Sequence, residues 1–237
     1  MEQTHAGRVA LVTGTSRGIG RAIARHLVAR GARVFGTGRD KAALARLADE
    51  LNAKETRFVF AHGDLSDAAF CESLPWQCVD DLGALDILIN NAGINQVARI
   101  EDLELEQWEE LLRVNLTAPF ILTKAAWPHL RKSKHAIIVN VSSVSAMVGL
   151  PKFPGFAGYC ASKYGLQGLT DVSCAEGKAD GIRVVAVQPG STDTDMLRDS
   201  LPDAQPQLAP EDVADVVGYL TSDAARKVNG ATIEIFP

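Results

Sequence analysis

Short apolar runs alternate with amphipathic stretches along the chain. The runs lie at 8–12, 33–37, 57–61, 86–90, 136–141, 181–187 and 231–236. Each is rich in Val, Ile, Leu or Phe and has the length of a buried strand. Between them apolar residues recur at helical spacing. Ile23, Leu27 and Val28 give one helix its apolar face before Gly31 closes it. Leu44, Leu47 and Leu51 do the same for a helix from Lys41 to about Ala53, with Asp40 as its cap. Trp108, Leu111, Leu112, Val114 and Leu116 stripe a mostly helical stretch over 104–132, and Glu211 to about Leu220 forms another helix. Residues 67–84 are expected as helix then loop, broken at Pro75-Trp76, with Ser66 or Asp64 capping the helix. The segment from Gln188 through Pro210 is expected as a polar loop. Strand and helix alternate from end to end, so the pattern predicts one α/β domain over 1–237, a doubly wound and mostly parallel sheet. The run 136–141 is its expected central strand.

Composition narrows the class. With 237 residues, 46% hydrophobic and 22% charged, the chain matches an ordinary globular protein. A net charge of −5 argues against a nucleic-acid surface. No apolar run approaches a membrane span, and the start shows no basic region followed by an apolar core. A cytoplasmic protein without nucleic-acid or membrane partners is therefore expected. Cys71, Cys78, Cys160 and Cys174 have no metal-ligand spacing, so free thiols and no metal site are expected.

Several residues point to chemistry. Thr13-Gly14-Thr15-Ser16-Arg17-Gly18-Ile19-Gly20 joins a strand to a helix. In that context Gly lets backbone approach a phosphate, and the helix start offers free N–H groups and a positive dipole end. The second strand ends in Gly38-Arg39, where an NAD site usually bears an acid; a cation there suits a 2′-phosphate. Asp64 suits either a helix cap or a bond to an adenine amino group. Asn91-Ala92-Gly93 follows a strand, at the edge where open α/β sheets place ligands. Pro119 disturbs the helix one turn back, at Asn115, which is either a cap-like group or part of a water relay. Ser142-Ser143 end the run 136–141. An apolar loop with Met147, Val148, Leu150 and Phe153 follows, and Met196 and Leu197 suit a lid, so an apolar pocket is expected. Tyr159 and Lys163 stand at i and i+4 on one helix face, where the ammonium favours the phenolate and lowers the phenol pKa. Ala161, Ser162, Gly165 and Gly168 allow that helix a close neighbour, such as a second subunit.

These landmarks, in this order, resemble the short-chain dehydrogenase/reductase family. The matching pieces are TGTSRGIG at 13–20, Asp64, NNAG at 90–93, Asn115, Ser143, YCASK at 159–163 and PGSTDT at 189–194. The resemblance implies a Rossmann-like sheet, a bound nicotinamide dinucleotide and hydride transfer to or from a carbonyl or alcohol. It implies that Tyr159 is the general acid or base, Lys163 lowers its pKa and holds the nicotinamide ribose, Ser143 bonds the substrate oxygen and Asn115 holds a water on the proton path. Cofactor contacts are expected from Gly14, Ser16, Arg17, Gly18, Ile19, Gly20, Arg39, Asp64, Leu65, Asn91, Ala92, Gly93, Tyr159, Lys163, Pro189, Gly190, Thr192 and Thr194. The expected cofactor is NADP(H) rather than NAD(H). The expected activity is reduction of a small or medium, fairly apolar ketone, of the broad type that includes 3-oxoacyl-carrier-protein reductases, by a homotetramer or homodimer. An oxidative alcohol or sugar dehydrogenase and a non-catalytic dinucleotide sensor are the alternatives; the intact Ser143, Tyr159 and Lys163 argue against the sensor. The segment between Ser143 and Tyr159 is longer and more apolar than usual in the family, so a distinct pocket wall is expected.

Overall fold

The computed structural model describes residues 3–53 and 55–237. The first two residues, part of the stretch read for a leader, lie outside them. The strands are β1 (Val9–Thr13), β2 (Arg33–Gly38), β3 (Phe58–His62), β4 (Ile87–Asn90), β5 (Ile137–Val141), β6 (Arg183–Pro189) and β7 (Thr232–Ile235). They form one seven-stranded sheet in the order β3-β2-β1-β4-β5-β6-β7, and every pairing is parallel. The chain winds outward from β1 to β3 and returns to β4 beside β1. That reversal opens a crevice at the carboxyl ends of β1 and β4.

Side-chain alternation makes two cores. Ala10, Val12, Ile87, Ile89, Val185 and Val187 face one layer, which holds α1 (Gly18–Ala29), α2 (Lys41–Leu51) and α8 (Pro210–Thr221). Val9, Leu11, Leu88, Ile138 and Val184 face the other, where α3 (Ala68–Leu82) and α5 (Ala118–Leu130) lie. The remaining helices are α4 (Leu105–Leu112), α6 (Ala157–Asp180) and α7 (Asp195–Ser200). No helix among the described residues is long and apolar enough to cross a membrane.

Several expectations need correction. α3 runs unbroken through Pro75, because Cys71, Leu74, Cys78 and Leu82 are buried against α5 and that packing outweighs one lost hydrogen bond. Its cap is Asp67, which accepts from the Ala69 and Phe70 amides, and neither Ser66 nor Asp64. Asp64 instead accepts from Ser66 N at 2.8 Å in a local turn. The middle strand is β4; β5 lies next to it, equally buried. The segment 188–210 is not all loop: Thr194 caps the short α7 through Leu197 N at 3.3 Å. Two of the small residues of α6 contact this chain, while Gly168 faces open space. Ser162 bonds Asn115, and a side chain at Gly165 would strike Leu116. Asp40 caps α2 as expected, accepting from Ala43 N at 2.9 Å. All the cysteines are free; Cys160 is half-buried and the others buried.

Leu74 is fully buried in the α3–α5 layer. Leu74→Ala is expected to lower unfolding stability by about 2–5 kcal/mol, read from denaturant melts. A loss under about 0.5 kcal/mol, the range of a surface substitution, contradicts this packing.

Candidate active site

The Gly-rich turn is stitched to the loop after β4. Thr13 Oγ1 accepts from the Asn91 amide at 3.0 Å and the Ala92 amide at 2.9 Å, and Asn91 Nδ2 donates to Thr13 O at 2.8 Å. Gly14 has φ +75°, and a Cβ there would lie 2.9 Å from Asn91 Nδ2. A Cβ at Gly20 would lie 2.3 Å from Gly14 O, so only glycine lets the turn close this tightly. No side chain caps the N-terminus of α1, whose first amides therefore face the crevice without a protein acceptor. This glycine cradle and helix start fit the pyrophosphate of a dinucleotide.

A cleft along this edge gathers most of the residues expected from the sequence. Gly14, Ser16, Arg17, Gly18, Ile19, Gly20, Arg39, Asp64, Leu65, Asn91, Ala92, Gly93, Tyr159, Lys163 and Thr194 all line it. Ile94, Val114, Val141 and Asp195 line it too and carry no sequence signal, being ordinary residues placed there by packing. Pro189, Gly190 and Thr192 line a second cavity of about 440 Å³, together with Ser143. Tyr159 lines both spaces, as do Ser142, Thr194 and Met196. Met147, Val148 and Leu150 line neither; Val148 is 89% exposed. Of the expected apolar residues Phe153, Met196 and Leu197 line the second cavity, where Phe156 and Leu201 join them.

Lys163 is buried, and its Nζ donates to Val141 O at 2.9 Å. Ser142 Oγ donates to Lys163 O at 3.3 Å, while Ser143 Oγ accepts from Ser145 N at 3.1 Å and its hydroxyl is the one that acts on the Tyr159 phenol. Asn115 sits in a π-helical turn over Arg113–Thr117, between α4 and α5. Its Oδ1 accepts from Ile94 N at 2.8 Å, and its Nδ2 donates to Ile94 O at 2.9 Å and Ser162 Oγ at 3.1 Å. The side chain thus ties the loop after β4 to α6. Pro119, four residues on, has no N–H to give the Asn115 carbonyl. Asn115 and Lys163 both abut Gly93.

The electrostatics depart from expectation. Burial pushes the Tyr159 phenol above its ordinary pKa, and the Ser143 hydrogen bond offsets this only in part. Lys163 does not reverse the balance. Its Nζ lies 5.7 Å from the tyrosine ring centroid, and burial lowers its own pKa to about 8. Its ammonium donates to the Val141 carbonyl rather than to the phenol. Arg17 Nη1 donates to Asp195 Oδ2 at 3.2 Å, and Arg39 Nη1 lies 3.9 Å from Asp64 Oδ2. All four side chains are exposed.

The model of the family described as short chain dehydrogenase matches residues 8–205. The chain belongs to the short-chain dehydrogenase family. It is 34% identical over 239 residues to the 3-oxoacyl-[acyl-carrier-protein] reductase of Escherichia coli, spanning 97% of this chain and 96% of that protein. It is 32% identical to the D-beta-hydroxybutyrate dehydrogenase of Cupriavidus necator, over 95% of each chain. Among solved structures it is similar to a short-chain dehydrogenase from Burkholderia cenocepacia in complex with NADP. That match has a TM-score of 0.91 and 33% identity, over 98% of each chain. As a short-chain dehydrogenase, the chain is a dinucleotide-binding oxidoreductase acting on small molecules.

The buried lysine gives a pH prediction. Its folded-state pKa of about 8 lies below the free value of 10.5, so the unfolded chain binds more protons between them. Below pH 8 the folded state carries the full cost of a buried charge; the cost fades as pH rises toward 10.5. The stability of the ligand-free protein relative to Lys163→Met is therefore expected to increase across that window, measured by urea melts at each pH. A flat difference contradicts the burial of this ammonium.

Proposed function

We propose that this protein is an NADPH-dependent carbonyl reductase acting on a small or medium ketone with a largely apolar body. The observation that carries the reading is the place of Tyr159. It stands where the dinucleotide cleft meets the second cavity, with the Ser143 hydroxyl and Lys163 beside it. NADPH, when bound, supplies the hydride. Ser143 and Tyr159 donate hydrogen bonds to the carbonyl oxygen, where negative charge develops. Tyr159 then gives its proton to that oxygen. A phenol held above its ordinary pKa keeps its proton at neutral pH and so has one to donate. Lys163, on the cleft side, holds the nicotinamide ribose, and the Asn115 carbonyl holds a water that returns protons through Lys163. Phe153, Phe156, Met196 and Leu197 receive the apolar body of the ketone.

NADP(H) is preferred on this reading because the adenosine end has two cations. Arg39 follows Gly38, which lies against Ser16, and no acid stands at the end of β2. Arg17 is held by Asp195, but an exposed ion pair is worth about 0–1 kcal/mol and yields to a phosphate. Asp64 remains a contact for the adenine amino group.

Two measurements test the reading. Tyr159→Phe is expected to lower turnover by about 10²–10⁴-fold while NADPH still binds; Lys163→Ala is expected to lose turnover and cofactor affinity together. Turnover of Tyr159→Phe within a few-fold of the native protein removes the catalytic assignment. For the cofactor, Kd for NADPH is expected to be about 10- to 100-fold lower than for NADH, from two charge-assisted bonds at their weak end. Gly38→Asp combined with Arg39→Ile is expected to reverse the order. Equal affinities in the native protein contradict the preference.

A further inference from the structure

The second cavity ends against a further space of about 350 Å³, bordered by Ile100, Pro154, Ala157 and Cys160. Among the described residues that line the two, only Phe153 and Phe156 line both. Their ring centroids lie 5.6 Å apart, so the two rings form the partition between the cavities. They are held differently. Phe156 is buried at the start of α6, with its ring edge-on to Tyr159 at 5.9 Å. Phe153 is 55% exposed, although the backbone on either side of it is fastened. Lys152 Nζ donates to Met147 O at 2.5 Å, and Ala98 N donates to Gly155 O at 3.1 Å. Gly155 has φ +87°, and a Cβ there would lie 2.8 Å from Val97 Cγ1. Of the two rings, that of Phe153 can therefore be cut back without disturbing Tyr159.

The outer space offers apolar contact rather than charge. Arg99 Nε donates to Glu101 Oε1 at 2.8 Å, and the Lys152 ammonium is bonded to Met147 O. What remains is a wall of Ile100, Phe153, Pro154, Phe156, Ala157 and Cys160, which suits a hydrocarbon chain. Neither Ser143 nor Tyr159 borders this space, so a chain that starts at the reacting carbonyl reaches it past the two rings. We propose that Phe153 is a specificity-determining residue that sets the length of the substrate. Its ring ends the second cavity, and the space behind it receives the far end of a longer alkyl ketone once the ring is cut back. The native protein is thereby confined to ketones whose chain ends within the second cavity. This rests on the carbonyl reductase reading and adds a chain-length class to it.

The test follows NADPH oxidation at fixed cofactor with straight-chain methyl ketones of increasing length, from butanone upward. A buried methylene is worth about fourfold in kcat/KM. The native protein is expected to gain by that order with each methylene up to one length and to gain nothing beyond it. Phe153→Ala is expected to move that limit to longer chains. It should raise the ratio of long-ketone to short-ketone kcat/KM by about tenfold or more, the worth of roughly two methylenes. Adding Cys160→Leu to Phe153→Ala fills the outer space and is expected to bring the limit back. Kd for NADPH reports that each variant is folded; where one does not bind, Phe153→Leu replaces Phe153→Ala and Ala157→Leu replaces Cys160→Leu. A native protein without a length limit overturns the partition, as does a limit that stays in place when the ring is cut back. A limit that moves outward and is untouched by filling the outer space overturns that space as the acceptor. If no ketone oxidises NADPH while NADPH still binds, the reductase reading itself fails, a result distinct from turnover without a length limit.

Discussion

A parallel sheet buried on both faces is the constraint on which the rest depends. The interior strands must pair with their neighbours and also hide both sets of side chains, so helices cover both faces and the residues of those strands are mostly apolar. That leaves the carboxyl edge as the place where polar side chains gather. The reversal of winding between β1 and β4 parts the loops there, and the cleft is the gap that results.

Helix α6 is held to that edge by polar groups inside the apolar layers. Asn90 Nδ2 donates to Asn140 Oδ1 at 2.8 Å, and Asn140 Nδ2 donates to Thr170 Oγ1 at 2.8 Å. Above them the Lys163 ammonium bonds Val141 O, and Ser142 bonds Lys163 O. Buried polar groups are costly unless paired, so a helix docked one turn away would leave several of them unsatisfied. Close contacts enforce the same register, since a Cβ at Gly158 would lie 2.6 Å from Leu111 Cδ1. Tyr159 is thereby placed by the whole helix rather than by its own contacts.

The lid side is built differently. α7 buries no residue, and Arg198 pairs with Asp193 and Asp195 at the surface. Asp195 also holds Arg17 across the cleft, and Arg39 faces Asp64. These exposed pairs are weak and screened by salt. Rigid burial beneath the site and exchangeable ion pairs over it suit a protein that must hold α6 in place and still admit an anionic dinucleotide.

Much of this was legible in the chain. The alternation of apolar runs and amphipathic stretches determines seven strands, their helices and a sheet buried on both faces, because periodicity is a local property of the residues. The glycines at 14, 18 and 20, the Asn91-Ala92-Gly93 loop and the Tyr159–Lys163 pair likewise announce themselves, since close backbone approach and i, i+4 spacing are written in residue type and number. Tertiary packing decided the rest. It carried α3 through Pro75 because burial against α5 outweighs a missing amide, and it made Asp67 the cap. It turned Val148 outward and brought Phe156 and Leu201 into the cavity wall beside Phe153. It raised the Tyr159 pKa where spacing to a lysine implied a fall, because burial opposes the phenolate and the ammonium is bonded to Val141 O instead. It also joined Asn95 to Ser200, residues far apart in the chain, in a cavity without charge. Burial and long-range contact depend on which elements meet in space, and no short stretch of sequence contains that information.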